Sequence, residues 1–231
     1  MNEISENVGQ DEVAELDRLL RTLFPIARSL TGEGNRETLR ILQQVVPLEV
    51  SEYPCGTSAY DWTIPAEWVI RDAFIKNASG QRIVDFKESN LHVVGYSAPV
   101  DAHLDFGSLR PHLHMVATEA DVIPYRTGYY DRDWGFCVTP SQYDQLEKSE
   151  GVLTVKVDSE FLEQGSMTIA DIRVPGQVSE EYFVSTYFCH PSMANDNLSG
   201  LLVTAFLARD MLKYGQPKKS WRFVFVPETI G

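Results

Sequence analysis

Cysteine is scarce in this 231-residue chain: Cys55, Cys137 and Cys189 are an odd number with no C-x-x-C spacing. That excludes a disulfide framework and a cysteine zinc cage, and leaves buried small residues or thiols. Positive charge is also short. Twenty Lys and Arg stand against 33 Asp and Glu, a formal charge of −13 that opposes phosphate backbones and anionic membrane surfaces. Neither nucleic acid nor a membrane is expected as a partner, whereas a small cationic substrate such as a free amino terminus would not be repelled. No apolar run reaches about 18 residues, and the opening MNEISENVGQDEV lacks the basic start and apolar core of a signal peptide. A cytoplasmic location is expected. Missing too are G-x-G-x-x-G, the P-loop and the G-x-S-x-G elbow, since Ser199 stands in N-L-S-G-L.

What is present reads as an ordinary globular chain, 43% hydrophobic and 23% charged, long enough to bury a real core. Val13, Leu16, Leu19, Leu20, Leu23 and Ile26 recur at three- and four-residue steps, so the spacing predicts an amphipathic helix over about 11–30, perturbed at Pro25 and broken by TGEGN. A second helix is predicted over 36–46, ended by Pro47. From about 48 to 140, short alternating runs such as VIRDAFI and NLHVVGYS are separated by turn signals such as NASG and PCGTS, the texture of a compact β-rich unit. Trp62, Trp68 and Trp134, with several tyrosines, are candidates for its core or a pocket wall. Strand patterns return in VLTVKVDS and SMTIADIRV, and EYFVSTYFC, LSGLLVTAFLARDML and RFVFV then read as strand, helix, strand. The expected organisation is N-terminal helices over 1–47, a β-rich insert over 48–140, and a βαβ part over 141–231.

The last segment carries the chemistry. A βαβ crossover is right-handed and its strands are parallel, so the carboxyl ends of both strands point to one edge. His190 follows the first strand, Asp196 precedes the helix with Asn197 or Ser199 available to cap it, and Glu228 follows the second strand. If the strands are neighbours, about 4.8 Å apart, the three side chains reach a common point on the rim where open α/β sheets bind ligands. An imidazole and two carboxylates beside a helix start are ligand types of catalytic zinc, and one carboxylate can instead serve as base. Cys189 and His190 are adjacent on a strand and point to opposite faces, so they do not form a thiol–imidazole pair. His112 and His114, two apart in RPHLHMVA, could share a strand face as a metal pair or stand as solvent-facing polar positions.

HPSMANDNLSG with FVPETIG resembles the di-zinc aminopeptidases of the zinc-dependent exopeptidase superfamily. RSLTGEGNRETL, CGTSAYDWTIPAEW, NLHVVGYS and IPYRTGYYDRDWGFC extend the likeness over nearly the whole chain, to the aminopeptidase-like proteins often encoded among polysaccharide or natural-product biosynthesis genes. The resemblance implies an α/β fold of the phosphorylase/aminopeptidase-like kind, a mixed sheet flanked by helices with a β-rich inserted subdomain, its C-terminal part missing. It implies that His190 binds zinc, that Asp196 bridges two zincs, and that Glu228 is the general base acting on the metal-bound water. A cis peptide is expected at Asp196–Asn197. The implied activity is a zinc-dependent hydrolase cleaving an amide bond next to a free amino terminus, with a small peptide or aminoacyl substrate.

Three departures stand against the family pattern. Ser192 occupies the place of the aspartate that orients the histidine, Thr229 follows Glu228 where a second glutamate is expected, and the sequence stops before the downstream aspartate and histidine ligands. They leave two other readings open: a peptidase-shaped binding module without catalysis, or an amidase or deacylase acting on an aminoacyl or acylamino-sugar substrate.

Overall fold

The computed structural model describes residues 2–119 and 121–227. Along the chain run helices α1 (Asn2–Leu23) and α2 (Glu33–Leu42), then strands β1 (Glu49–Pro54), β2 (Glu67–Lys76), β3 (Arg82–Asp85) and β4 (Val100–Leu104). Helix α3 (Pro140–Glu147), strands β5 (Leu153–Leu162), β6 (Ser166–Val174) and β7 (Val178–Tyr187), helix α4 (Ser199–Lys213) and strand β8 (Lys219–Val226) follow. The chain divides into two compact units, residues 1–53 with 166–231, and Pro54–Gly165.

The first unit holds a four-stranded sheet in the order β1-β6-β8-β7. Strands β6 and β8 run antiparallel. Strands β7 and β8 are parallel immediate neighbours, with Val184 opposite Phe223 and Tyr187 opposite Val226. Ala170, Ile172, Val174, Phe223 and Phe225 belong to one buried cluster with Leu19 and Leu23 of α1, Leu39 and Leu42 of α2, and Leu201, Ala205 and Phe206 of α4. Each large apolar side chain removed from water here is worth about 1.5–3 kcal/mol. Helix α4 is less enclosed than its apolar start implies, since Val203 and Leu207 stand exposed.

Both N-terminal helices begin and end earlier than predicted. Helix α1 stops at Leu23 because Pro25 lacks an N–H and disfavours helix in the residue before it. The Leu23 carbonyl, left without its helical donor, is met by the buried guanidinium of Arg28 at 2.6 Å. The loop then turns back on itself so closely that a Cβ at Gly34 would fall 2.1 Å from the Ala27 carbonyl oxygen, which only glycine permits. Asn35 ties the loop down by donating to the Ser29 carbonyl at 2.7 Å.

The second unit is built on an antiparallel sheet in the order β3-β2-β5-β4. Strand β5 alternates strictly, with Leu153, Val155, Val157 and Ser159 buried. This corrects the predicted boundary: β5 pairs along the length of β2, so the β-rich unit runs to Gly165 and not to Pro140. Helix α3 opens on a capping box, Thr139 with Gln142, and Pro140 sits in its first turn. Gln142 also donates to the Ile83 carbonyl at 3.1 Å and to Nε2 of the buried His92 at 3.3 Å. Of the three tryptophans, Trp68 is buried and stacked near Tyr96, whereas Trp62 and Trp134 are half-buried.

Candidate metal centre

Because β7 and β8 are parallel and joined through α4, their carboxyl ends share one edge. Strand β7 ends at Tyr187, earlier than the sequence pattern predicts, although Phe188 continues the ladder by donating to the Val226 carbonyl at 3.1 Å. His190 therefore stands three residues beyond the strand and not directly after it. Its side chain is 7% exposed, and its carbonyl accepts from Arg28 Nε at 3.0 Å. Burial pulls the Arg28 guanidinium down to about 10, opposed by the nearby Cys189 and Glu37. It stays cationic at neutral pH, and it ties the end of α1, Thr38 of α2 and the His190 backbone together.

Residues 194–198 form a single wide turn before α4, interrupted by non-helical backbone at Asp196 (φ −128°, ψ 81°) and Asn197 (φ −143°, ψ 34°). The Asp196–Asn197 peptide is cis, as the family resemblance implies. Neither Asn197 nor Ser199 caps α4. Asn197 reaches back to the strand instead, donating from Nδ2 to Thr186 Oγ1 at 3.0 Å and to the Tyr187 carbonyl at 3.2 Å. Ser199 donates to the Asn195 carbonyl at 3.3 Å. A Cβ at Gly200 would lie 2.2 Å from Asn197 Oδ1, so the helix start is a glycine because the Asn197 amide lies against it.

This turn brings two of the three predicted site residues together. His190 Nδ1 lies 3.2 Å from Asp196 Oδ1 and 3.3 Å from the Asp196 carbonyl oxygen. Both oxygens can only accept, so Nδ1 carries the proton and Nε2 the lone pair. Metal-binding imidazoles are held in this way, with the second ring N–H fixed by a carboxylate or carbonyl. Asp196 Oδ1 also accepts from the Tyr187 hydroxyl, and the Tyr187 ring meets the His190 ring edge-on at 5.1 Å. Glu228, the predicted general base, lies outside the described residues, as does Thr229.

An imidazole and a carboxylate are both ligand types of zinc, so the pair fits that ion. Among the described residues no group of three His, Cys, Asp or Glu converges. The described part supplies two donors, and Glu228 is the remaining predicted member. Ser192, where an orienting aspartate is expected, adopts the left-handed region (φ 42°) and donates its hydroxyl to the Phe24 carbonyl at 3.0 Å.

Among the described residues, no third His, Cys, Asp or Glu joins His112 and His114. His112 stacks on Trp134 with ring centroids 3.7 Å apart and bonds the Trp134 carbonyl at 2.9 Å, while burial and the Arg126 charge push the His114 imidazole below its ordinary range. Cys137 and Cys189 are fully buried, and none of the three cysteines is in a disulfide. Two participants escaped the sequence reading, Tyr187 and Arg28. Tyr187 could have been suspected from its place near the end of the same run as His190. Arg28 carries no local signal, because its contact with His190 spans 162 residues of sequence. Among the described residues, no helix is long and apolar enough to cross a membrane.

Comparison with known proteins bears on the family and the fold. Residues 17–231 match the family described as "Domain of unknown function (DUF4910)". A Clostridium acetobutylicum protein named as a candidate polysaccharide biosynthesis protein with an aminopeptidase-like domain is 43% identical over the whole of this chain, which spans 53% of that protein. The crystal structure of a candidate peptidase from Clostridium acetobutylicum, also 43% identical, superposes with a TM-score of 0.91 over 100% of this chain and 54% of the other. A zinc aminopeptidase from Bacillus subtilis shares the fold at a TM-score of 0.55 and 13% identity, with 91% of this chain and 60% of that one covered. A peptidase M28 precursor from Shewanella amazonensis shares it at 0.53 and 11% identity, with 97% and 67% covered. The chain thus spans about half the length of its 43%-identical relatives. With a family model covering it from residue 17 onward and relatives of this similarity, the chain belongs to the DUF4910 family and has an aminopeptidase-like α/β fold.

Proposed function

We propose that this protein acts as a zinc-dependent aminopeptidase-like hydrolase, cleaving an amide bond next to a free amino terminus in a small peptide or aminoacyl substrate. The observation that carries the reading is the pairing of His190 with Asp196 at the shared carboxyl edge of two parallel strands. His190 and Asp196 are the residues that would hold the ion. When bound, zinc supplies Lewis acidity toward the scissile carbonyl and lowers the pKa of a water at the site.

The chain's own residues do the rest. Asp196 and its carbonyl hold the His190 ring by Nδ1, which fixes the tautomer. Glu228, two residues beyond the end of β8, takes the proton from the attacking water and passes it to the leaving amine. The acidic balance of the chain, −13 overall, suits a cationic amino terminus over an anionic ligand.

The test is zinc content together with hydrolysis of a panel of aminoacyl amides by the protein and by Glu228→Gln. Retained zinc with a rate reduced by roughly 100-fold or more supports Glu228 as base, because positioned proton transfer contributes about 10²–10⁴. Equal rates remove Glu228 from the mechanism. One observation favours a second reading, a peptidase-shaped binding module without catalysis: Ser192 turns to Phe24 and gives His190 no carboxylate. A folded protein without zinc and without hydrolysis would establish it.

A further inference from the structure

We infer that Tyr187 is a positioning residue of the metal pair, holding Asp196 against His190. The inference rests on the reading of His190 and Asp196 as zinc ligands. In a metal site, groups that hydrogen-bond the ligands are worth about 10–100-fold in metal affinity, because they fix ligand orientation before the ion arrives. At position 192 such a group is missing: Ser192 sits in a left-handed turn and gives its hydroxyl to Phe24.

Tyr187 touches both partners at once. Its hydroxyl donates to Asp196 Oδ1, the oxygen that also faces His190 Nδ1, and its ring packs edge-on against the His190 imidazole with centroids 5.1 Å apart and planes at 66°. The strand's hydroxyl and the imidazole thus both meet Oδ1, which restrains the carboxylate. The ring contact restrains the imidazole on its second side.

The backbone of Tyr187 serves the same purpose. As the last residue of β7 it is opposite Val226 in the parallel ladder, so the strand fixes its position. Its carbonyl accepts from Asn197 Nδ2 at 3.2 Å, which pins the turn directly after Asp196. A single residue thus anchors the metal pair through a hydroxyl, a ring and a carbonyl. A tyrosine is suited to this, since its length spans from the strand to the turn and its hydroxyl can donate.

The experiment uses the whole protein and Tyr187→Phe, which removes one oxygen from a half-buried position and keeps the ring. Zinc affinity is measured by competition with a chromogenic chelator, the melting temperature is measured without metal, and the visible absorption of the cobalt-loaded protein reports ligand geometry. His190→Ala serves as the reference for loss of the site. The expected result is zinc binding about 10-fold or more weaker in Tyr187→Phe, an altered cobalt spectrum, and an unchanged metal-free melting temperature. Wild-type affinity and spectrum in Tyr187→Phe, with His190→Ala unable to bind, would overturn the role of Tyr187 and leave the zinc reading intact. Weaker binding accompanied by a lower metal-free melting temperature would make Tyr187 a fold residue and also overturn it. If the unaltered protein and His190→Ala bind zinc equally, the zinc reading fails and this inference falls with it.

Discussion

Two buried histidines, one in each unit, show how a structural imidazole differs from a candidate ligand. His92 is 2% exposed, with Nδ1 at 2.7 Å from the Cys137 carbonyl and Nε2 taking the Gln142 amide. Both of its nitrogens serve the fold, and Gln142 is itself fixed by a helix cap and by the Ile83 carbonyl. His190 is nearly as buried, yet its Nδ1 faces a carboxylate that a tyrosine also holds, at a strand edge where the chain turns through a cis peptide. Neutral amides and carbonyls around a histidine build a core. A carboxylate oriented against it, on a rim shared by parallel strands, builds a place for a cation.

The sharpest way to break this comparison is to remove each imidazole in turn. His190→Ala is expected to weaken zinc binding by roughly 100-fold or more, read by chelator competition, because a ligand and not its support is lost. His92→Ala should leave zinc binding unchanged and lower unfolding free energy by about 2–4 kcal/mol in urea titration, since it orphans a buried carbonyl and amide and opens a cavity. If His92→Ala abolishes zinc binding while the protein stays folded, the division between the two histidines is wrong.

Arg28 tests whether the first unit's site depends on a distant anchor. Arg28→Met leaves the Leu23 and His190 carbonyls without this donor and should cost about 2–3 kcal/mol of stability. Zinc affinity should fall as well, because the His190 backbone is released. A variant as stable as the parent would mean that water replaces the guanidinium.

Acid sharpens the comparison further. Burial holds the His92 pKa below its ordinary 6.5, with the Cys137 carbonyl and nearby acids opposing. A folded pKa below the unfolded one means that the unfolded state binds the proton more readily. The stabilisation from neutral His92 is present above about 6.5 and is lost as pH falls through the depressed folded value. Urea unfolding between pH 7 and pH 5 should therefore show a slope that is shallower in His92→Gln. The smallest effect belongs to the helix cap: Thr139→Ala should cost about 1 kcal/mol, read by thermal melting, without touching zinc affinity.

Much of the βαβ segment was legible because it is governed by local rules. The apolar run of β8, the helix pattern of α4 and the right-handed crossover were sufficient to place His190 and Asp196 on one edge, and the pair meets there. The end of β7 was misjudged by two residues because Phe188 and Cys189 are as buried as strand residues, and Phe188 still donates to the Val226 carbonyl, although the strand ends at Tyr187. The cap of α4 was misjudged for a different reason. Asn197 is a good cap by type, but its amide is drawn to Thr186 and Tyr187, neighbours brought close only by the fold. The β-rich boundary failed likewise, since nothing local in VLTVKVDS says that it pairs with Glu67–Lys76 and not with the strand that follows it.

By itself, the sequence determined the elements and the direction of the chain through them: two amphipathic helices, alternating strands, and a crossover that delivers an imidazole and an acid to one rim. These follow from periodicity, proline and handedness, which act over a few residues. Tertiary packing alone sets which strands are partners, that the Ser192 hydroxyl goes to Phe24, that Tyr187 reaches Asp196 and that Arg28 reaches the His190 carbonyl. Those contacts join residues up to 168 positions apart, and hydrogen bonds at that range depend on packing that no local pattern encodes.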